Sequence, residues 1–152
     1  MKNAVFTDPE RIKYIIDKCD VCFIGMSEND NPYVLPFNFG YEDNTIFFHT
    51  GPGGMKLDML KKNPKACVSF STDHKLFFRD EPVACSYGMY YRSVVAFGKI
   101  EFVEDYDEKI KCMNIIMRKY TGKDFPYNAP SIKNLVIFKL NIEKIEGKEF
   151  GY

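Results

Sequence analysis

The 152-residue chain has no tryptophan, two histidines and no excess of charge of either sign. Lys plus Arg and Asp plus Glu both number 21, so the formal net charge is zero, and no polybasic run stands against this balance. A surface built mainly to bind nucleic acid is therefore not expected. No apolar stretch approaches the length of a membrane span, and the N-terminal MKNAVFTDPER lacks the apolar segment of an export signal. We expect a cytoplasmic protein without nucleic-acid or membrane partners.

The five cysteines and two histidines do not form a metal-binding pattern. Cys19 and Cys22 have Cys-x-x-Cys spacing, but a zinc site would need a second pair or nearby histidines at metal-site spacing. A thioredoxin-like motif would lie between a strand and the following helix, whereas this pair follows a predicted helix and enters a strand. We predict no metal site, and we interpret the two residues as reduced, buried thiols.

Fourteen Phe and ten Tyr indicate an aromatic-rich interior, which is typical of a small barrel or of a site for a flat ligand. No repeat, low-complexity segment or linker divides the chain, so residues 1–152 are predicted to form a single domain. Periodicity predicts three helices, which begin near Thr7, Met55 and Asp105, and six strands over residues 21–26, 33–41, 45–50, 66–70, 90–103 and 135–145. We therefore predict a mainly β (α+β) fold: a six-stranded antiparallel barrel, closed or split, with peripheral helices.

Local signals refine several boundaries. Thr7 and Glu10 match a capping box, with Pro9 in the first turn, and Asp105 with Glu108 matches another. Gly98 predicts a bend or bulge in the longest strand. Residues 72–82 and 123–131 are predicted to be loops, and residues 84–89 a short strand or an irregular segment.

The side chains of the predicted strand over residues 33–41 alternate clearly between two faces, but the strand contains a proline, Pro36. Tyr33, Leu35 and Phe37 share one face, and Val34 and Pro36 share the other. Because Pro36 has no amide hydrogen, the ladder is predicted to be irregular or unpaired there, which would leave backbone groups free for a ligand. The alternative is an ordinary edge strand that contains a proline.

The stretch 45–70 has an order that can hold a phosphate: strand, glycine-rich turn, short helix with Lys56 at its start, strand. Exposed amides at the helix start attract an anion, and the lysine adds a full charge. The motif is not a Walker loop, because Met55 and Leu57 flank the lysine where Gly and Ser or Thr would be required. The alternative is a glycine-rich connection with a solvated lysine.

Several short motifs occur in one order and resemble a known family. They are Leu35-Pro36-Phe37-Asn38, Phe48-His49-Thr50 with Lys56, Asn63-Pro64 before a strand, and Tyr91-Arg92-Ser93-Val94 with Phe97-Gly98. The ordered set resembles the FMN-binding split-barrel family that includes pyridoxamine 5'-phosphate oxidase, and more narrowly the branch related to nitroimidazole-resistance reductases. The resemblance covers nearly the whole chain.

The resemblance implies roles for individual residues. The segment Leu35-Pro36-Phe37-Asn38 would run along the isoalloxazine of FMN and bond its polar edge, largely through the backbone. Thr50 and Lys56 match the hydroxyl and the cation that hold the FMN phosphate. Arg92 and Ser93 match an Arg-Gln pair of the oxidases, with a shorter serine in place of glutamine.

His49 matches a histidine that the nitroimidazole-resistance branch carries near the flavin, so it is the candidate catalytic residue as well as a cofactor contact. An imidazole there could donate a proton while the reduced flavin delivers a hydride or electrons. Two alternatives remain open: His49 as a barrel-lining residue bonded to backbone, and Arg92 as half of an ion pair.

One departure from the oxidases is informative. Their C-terminal segment is rich in Trp, Arg and His and grips the substrate phosphate, whereas this chain ends FKLNIEKIEGKEFGY. Vitamin-phosphate oxidation is therefore not expected. In the family the flavin lies at a two-fold interface, so the resemblance also implies a homodimer with residues of both chains at each site.

Three functions follow from the resemblance. The first is an FMN-dependent oxidoreductase that reduces a small electrophile such as a nitroaromatic or nitroimidazole, with NAD(P)H or another electron donor. The second is a non-enzymatic flavin-binding sensor or carrier. The third is a haem-binding split barrel with His49 or His74 as a ligand. The phosphate-type residues Thr50, Lys56 and Arg92 favour the two flavin functions.

Overall fold

The computed structural model describes residues 3–152, which form eight strands and four α-helices. The strands are β1 (Asn3–Phe6), β2 (Cys22–Glu28), β3 (Asn31–Phe37), β4 (Gly40–Glu42), β5 (Thr45–Thr50), β6 (Lys65–Phe77), β7 (Gly88–Val103) and β8 (Val136–Phe150). The helices are α1 (Pro9–Lys18), α2 (Met55–Lys62), α3 (Tyr106–Thr121) and α4 (Ala129–Asn134), and a 3₁₀ turn spans Ala84–Ser86. None of the helices in this part of the chain combines the length and apolar character required to cross a membrane.

The strands form one antiparallel sheet in the order β3-β2-β6-β7-β8-β5-β4, and β1 pairs with the C-terminal end of β8. The two strands at the ends of this order, β3 and β4, are consecutive in the chain and are separated by Asn38 and Phe39 alone. The sheet must therefore curl until its ends meet at this connection. The predicted antiparallel split barrel with peripheral helices is confirmed.

The predicted number of six strands is wrong, because the structure has eight. The segment predicted as one strand over residues 33–41 divides at Asn38 into β3 and β4. The other addition is β1, whose four residues pair with β8 from Asn3 opposite Phe150 to Phe6 opposite Gly147. Such short strands depend on their partners rather than on their own periodicity.

Two apolar clusters stabilise this arrangement. The larger fills the barrel and contains stacked Phe48 and Phe138, with ring centroids 5.1 Å apart, and an edge-to-face pair of Phe39 and Phe70. The smaller lies where the helices α3 and α4 cover the outside of β5 and β8. Its members are Phe47, Cys112, Met113, Ile116, Ile132 and Ile137. The phenylalanines thus account for much of the interior, as their number predicts.

Several local predictions are confirmed and others need correction. Asp105 caps α3 by accepting from the Glu108 amide, and the register of β7 against β8 shifts at Gly98, as predicted. The cap of α1 is Asp8 rather than Thr7, since the Asp8 carboxylate accepts hydrogen bonds from the backbone amides of Glu10 and Arg11.

Two predicted loops contain regular structure. The loop over residues 123–131 contains the start of α4, whose buried Ile132 packs against α3. The loop over residues 72–82 contains the end of β6, which continues to Phe77 beyond an irregularity between Thr72 and Lys75. In both cases tertiary packing overrides a polar local sequence.

Candidate functional site

The glycine-rich turn between β5 and α2 is open at the start of the helix. Gly54 is the N-cap residue, with a φ of 99°, and no side chain caps the first-turn amides. Apart from the glycine and the residues on either side of it, a Cβ placed on Gly51 or Gly53 would meet no atom of residues 3–152 within 4 Å. The Lys56 ammonium lies 3.9 Å from the position of a Cβ on Gly54. Free amides and an ammonium group therefore face the same space, which suits an anion.

The predicted flavin-contacting segment lies on an edge strand. Among residues 3–152, β3 pairs with β2 and with no other strand. The register passes without a break through Pro36, which lies opposite Phe23, so the ladder is not interrupted. The edge-strand alternative is correct, and it also leaves backbone groups unpaired along the outer side of β3.

Side chains of the same segment connect it to β5. The Phe37 ring lies 5.7 Å from Phe48 and 5.7 Å from Phe138. Phe48 directly precedes His49, so the end of β3 and the end of β5 are neighbours. The structure thus brings the segment Leu35–Asn38 and the turn that follows Thr50 to one region of the barrel.

Tyr120, in the last turn of α3, holds the connection between β3 and β4. Its hydroxyl donates to the Asp20 carbonyl at 2.7 Å and accepts from the Phe39 amide at 3.0 Å. The Asn38 side-chain amide donates to the same carbonyl at 3.3 Å. Asn38 is therefore fixed by neighbours that the sequence motifs did not include.

His49 and Thr50 point to opposite faces of β5, because successive strand residues alternate. His49 shares the face of Phe47, which packs against α3 and α4. Thr50 shares the face of Phe48, which belongs to the barrel interior. Burial lowers the pKa of His49, since a charged imidazole is poorly solvated there.

Arg92 and Ser93 lie far from the glycine-rich turn within one chain. Arg92 is opposite Glu149 on β8, whereas Thr50 is opposite Val136, thirteen residues away along that strand. An extended strand of that length spans roughly 40 Å. A single chain therefore does not bring Arg92 and Ser93 to Thr50 and Lys56.

Arg92 is the centre of an ion-pair cluster. Its guanidinium donates to Asp73 at 2.7 Å and to Glu149 at 3.3 Å, and it stacks on the Tyr152 ring at 3.9 Å. The ion-pair alternative is thus correct for the contacts of Arg92 within one chain. The neighbouring Ser93 hydroxyl donates to the Lys148 carbonyl.

Asp73 and Glu149 were missed by sequence reasoning. Asp73 lies in the irregular part of β6 with a left-handed φ of 56°, and this backbone conformation changes the direction of its side chain. Hydrogen bonds from Lys18 and then from Arg92 hold the pKa of Asp73 below its usual range. No local pattern signals such a residue, because its partners come from α1 and β7.

The Cys-x-x-Cys pair is buried, as predicted. Cys19 and Cys22 expose 4% and 0% of their surfaces, and burial is the main reason that the pKa of each thiol is raised. Such thiols are poor nucleophiles and poor metal ligands. Within residues 3–152 no three His, Cys, Asp or Glu side chains lie close enough to hold a metal ion.

The chain is similar to known proteins in both sequence and fold. A family model described as pyridoxamine 5'-phosphate oxidase matches residues 8–149. The chain is 42% identical to a candidate 5-nitroimidazole antibiotic resistance protein from Bacteroides thetaiotaomicron, with a TM-score of 0.87 over 98% of this chain and 88% of that one.

Two more distant structures share the fold. An FAD- and haem-binding protein from Mycobacterium smegmatis is 18% identical, with a TM-score of 0.86 over 97% of this chain and 74% of that one. An FAD-binding protein from Mesorhizobium loti is 21% identical, with a TM-score of 0.72 over 99% of this chain and 100% of that one. None of the curated proteins compared with the chain matched it.

These findings agree with the ordered motifs and with the split barrel that carries them. The family match runs from the cap of α1 to the end of β8, and the structural match at 42% identity covers nearly all of both chains. The family resemblance expected from the sequence is confirmed: the chain belongs to the pyridoxamine 5'-phosphate oxidase family.

Proposed function

We propose that this protein binds FMN and uses it to reduce a small electrophile such as a nitroaromatic or nitroimidazole. The observation that carries the proposal is the open glycine-lined turn at the start of α2, where uncapped amides and Lys56 face the same space. A phosphate monoester with nearly two negative charges would gain charge-assisted hydrogen bonds there. Thr50, the last residue of β5, would add a hydroxyl donor.

The flavin ring would lie along the segment Leu35–Asn38. The free edge of β3 offers backbone groups to its polar rim, and Tyr120 keeps Asn38 in place at the end of that edge. FMN, when bound, supplies the redox chemistry, and the chain positions it and excludes water. The names of the relatives support a flavin: two of them are FAD-binding proteins.

An apolar face on the outside of the sheet supports a homodimer. Two cross-strand rows form it, and we call it the outer sheet face: Pro36, Phe23, Ser69 and Val95 in one row, and Val34, Gly25, Cys67 and Phe97 in the other. Phe23, Val34 and Phe97 are 50%, 60% and 43% exposed, and the rows contain no charged residue. A neutral, aromatic face of this kind is typical of a protein interface.

A dimer would also explain why Arg92 and Ser93 lie so far from Lys56 within one chain. Each flavin would be bound by the glycine-rich turn of one chain and by the Arg92–Ser93 region of the other. Arg92 would have to exchange a carboxylate partner for the phosphate, since Asp73 and Glu149 already neutralise it. This two-chain site is part of the proposal.

His49 would act on the substrate rather than on the phosphate, because it points away from Thr50. Its lowered pKa keeps the imidazole neutral at pH 7, so it would donate one N–H hydrogen bond to a developing negative charge. Because a neutral imidazole does not release its N–H proton at this pH, the proton that the product takes up would come from solvent.

The experiment that tests this proposal is an absorbance spectrum of the purified protein before and after anaerobic addition of NADPH. Flavin bands that bleach would support the reductase, and a nitroimidazole should then restore them. Flavin bands that persist would favour a sensor or carrier. A Soret band would favour the haem alternative with His49 or His74, and a colourless protein that does not bind added FMN would refute the proposal.

A further inference from the structure

A cavity of about 300 Å³ lies beside the glycine-rich turn and is not part of the flavin site described above. It is bordered by that turn, the last turn of α2, the end of β7, the first turn of α3 and the junction of α4 with β8. Its walls include the apolar side chains of Phe102 and Leu135. A concave space with apolar walls and a few polar groups is the usual form of a small-molecule site.

The rim of this cavity is positively charged. Lys61, Lys109 and Lys133 line it, against one carboxylate, Glu104. Lys109 donates to the Leu135 carbonyl at 2.9 Å, which keeps its ammonium group at the cavity. Within residues 3–152, neither Lys61 nor Lys133 forms an ion pair.

Three lysines and one carboxylate line this cavity. The single carboxylate of Glu104 leaves the rim with two positive charges in excess. A bound anion would balance this excess and would gain charge-assisted hydrogen bonds from flexible ammonium groups. The cavity is therefore built to attract an anion rather than a cation or a neutral apolar molecule.

The cavity adjoins the end of the proposed flavin phosphate site. Pro52 lines it and follows Thr50 by two residues, and Val136, another wall residue, lies directly opposite Thr50 in the β5–β8 ladder. A ligand whose first phosphate is held at Thr50 and Lys56 could extend into this space. The next anionic group of such a ligand would reach the lysines.

We infer that this cavity is a second phosphate subsite and that it binds the phosphates of a nucleotide. The inference rests on the proposed flavin site. The shared chemistry is a nucleotide phosphate, which could belong to the second half of FAD or to a nicotinamide dinucleotide that delivers electrons. The apolar walls would cover the faces of the sugar and base, and the lysines would hold the phosphates.

ADP is the first probe, because it carries this chemistry without a flavin. Calorimetric titration of the wild type should show binding that weakens as the salt concentration rises. The double variant Lys61→Ala/Lys133→Ala should bind ADP at least ~10-fold more weakly, as expected for the loss of two charge-assisted contacts. The matched control, Lys99→Ala/Lys123→Ala, removes two exposed lysines that do not line the cavity and should bind ADP like the wild type.

FMN, FAD and NADPH then distinguish the sources. If the affinity for FAD falls in the double variant while the affinity for FMN does not, the cavity holds the second half of a flavin dinucleotide. If FMN and FAD are unchanged and the KM for NADPH rises, it holds the electron donor. The inference would be overturned if the double variant and the wild type had equal affinities for ADP and FAD and equal KM values for NADPH.

Failure of the inference can be separated from failure of the proposed function. A protein that binds FMN but shows no lysine-dependent nucleotide binding would retain the function and lose the subsite. A protein that binds ADP through Lys61 and Lys133 but never binds FMN would retain the subsite and lose the flavin. A melting temperature equal to that of the wild type would show that the exposed substitutions leave the fold intact, and Lys61→Gln/Lys133→Gln provides a second variant.

Discussion

Lys56 carries the positive charge of the proposed FMN phosphate site. We predict that Lys56→Ala weakens FMN binding by about 1.5–3 kcal/mol, because a charge-assisted hydrogen bond to the phosphate is lost. Fluorescence titration of the flavin-free protein with FMN measures this loss. Riboflavin, which lacks the phosphate, should bind the wild type and the variant equally.

Lys62→Ala is the control, since Lys62 lies at the other end of α2 and pairs with Glu28. The same charge is removed from the same helix, so FMN affinity should stay at the wild-type value. An unchanged affinity in Lys56→Ala would remove this lysine from the phosphate site.

His49 is expected to make the stability of the protein depend on pH. Burial lowers its pKa in the folded state, whereas the unfolded chain retains a pKa of about 6.5. As the pH falls below that value, the unfolded chain binds the proton first, so the free energy of unfolding decreases; it recovers as the pH rises. Urea denaturation between pH 5 and 7.5 should show a shallower pH dependence in His49→Gln.

The same variant tests the catalytic role of His49. His49→Gln should retain FMN and reduce the substrate up to ~100-fold more slowly if the imidazole N–H stabilises the negative charge that develops on the substrate. His74→Gln is the control, because His74 is exposed and bonds to Ser71. Wild-type turnover in His49→Gln would restrict this residue to a structural role.

Helix α3 holds the connection between β3 and β4 through Tyr120 in its last turn. We predict that Tyr120→Phe lowers the free energy of unfolding by about 1–2 kcal/mol, because the Phe39 amide and the Asp20 carbonyl lose their shared partner. Urea denaturation measures the change, and amide exchange at Phe39 should accelerate.

Tyr106→Phe, at the first turn of the same helix, is a matched control, since within residues 3–152 its hydroxyl makes no hydrogen bond to another side chain or to the backbone. Its stability should equal that of the wild type. If Tyr120→Phe is as stable as Tyr106→Phe, the β3–β4 connection does not depend on α3.

Elements differ in how far their own residues specify them. Helix α3 was predictable because Asp105 caps it, Gly122 ends it with a φ of 73°, and its apolar residues recur at helical spacing. Helix α4 was not, because its six residues contain a proline and one buried side chain, Ile132. That helix depends on the pocket that Ile132 fills beside α3 rather than on a periodic pattern.

At the level of the assembled molecule, the proposed two-chain site predicts that flavin binding depends on dimerisation, because Arg92 and Lys56 of one chain lie far apart. Phe97→Asp places a charge in the outer sheet face and should weaken the dimer by about 2 kcal/mol or more. Light scattering should then show a shift towards monomer, and FMN affinity should fall with it.

Phe125→Asp introduces the same charge at an aromatic residue of similar exposure outside the outer sheet face. This control should remain dimeric and bind FMN normally. A wild-type protein that is monomeric and still binds FMN tightly would refute the two-chain site.

The sequence by itself determined the antiparallel barrel, the glycine-rich turn with Lys56 and the family. These depend on patterns that are local: alternation in strands, helical spacing, and glycines where other residues resist the backbone conformation. The tertiary structure decided what surrounds Arg92, Asn38 and His49. Asp73 reaches Arg92 and Tyr120 reaches Asn38 from distant parts of the chain, and α3 and α4 pack against the face of β5 that carries His49. Such contacts arise from packing, which no local pattern encodes.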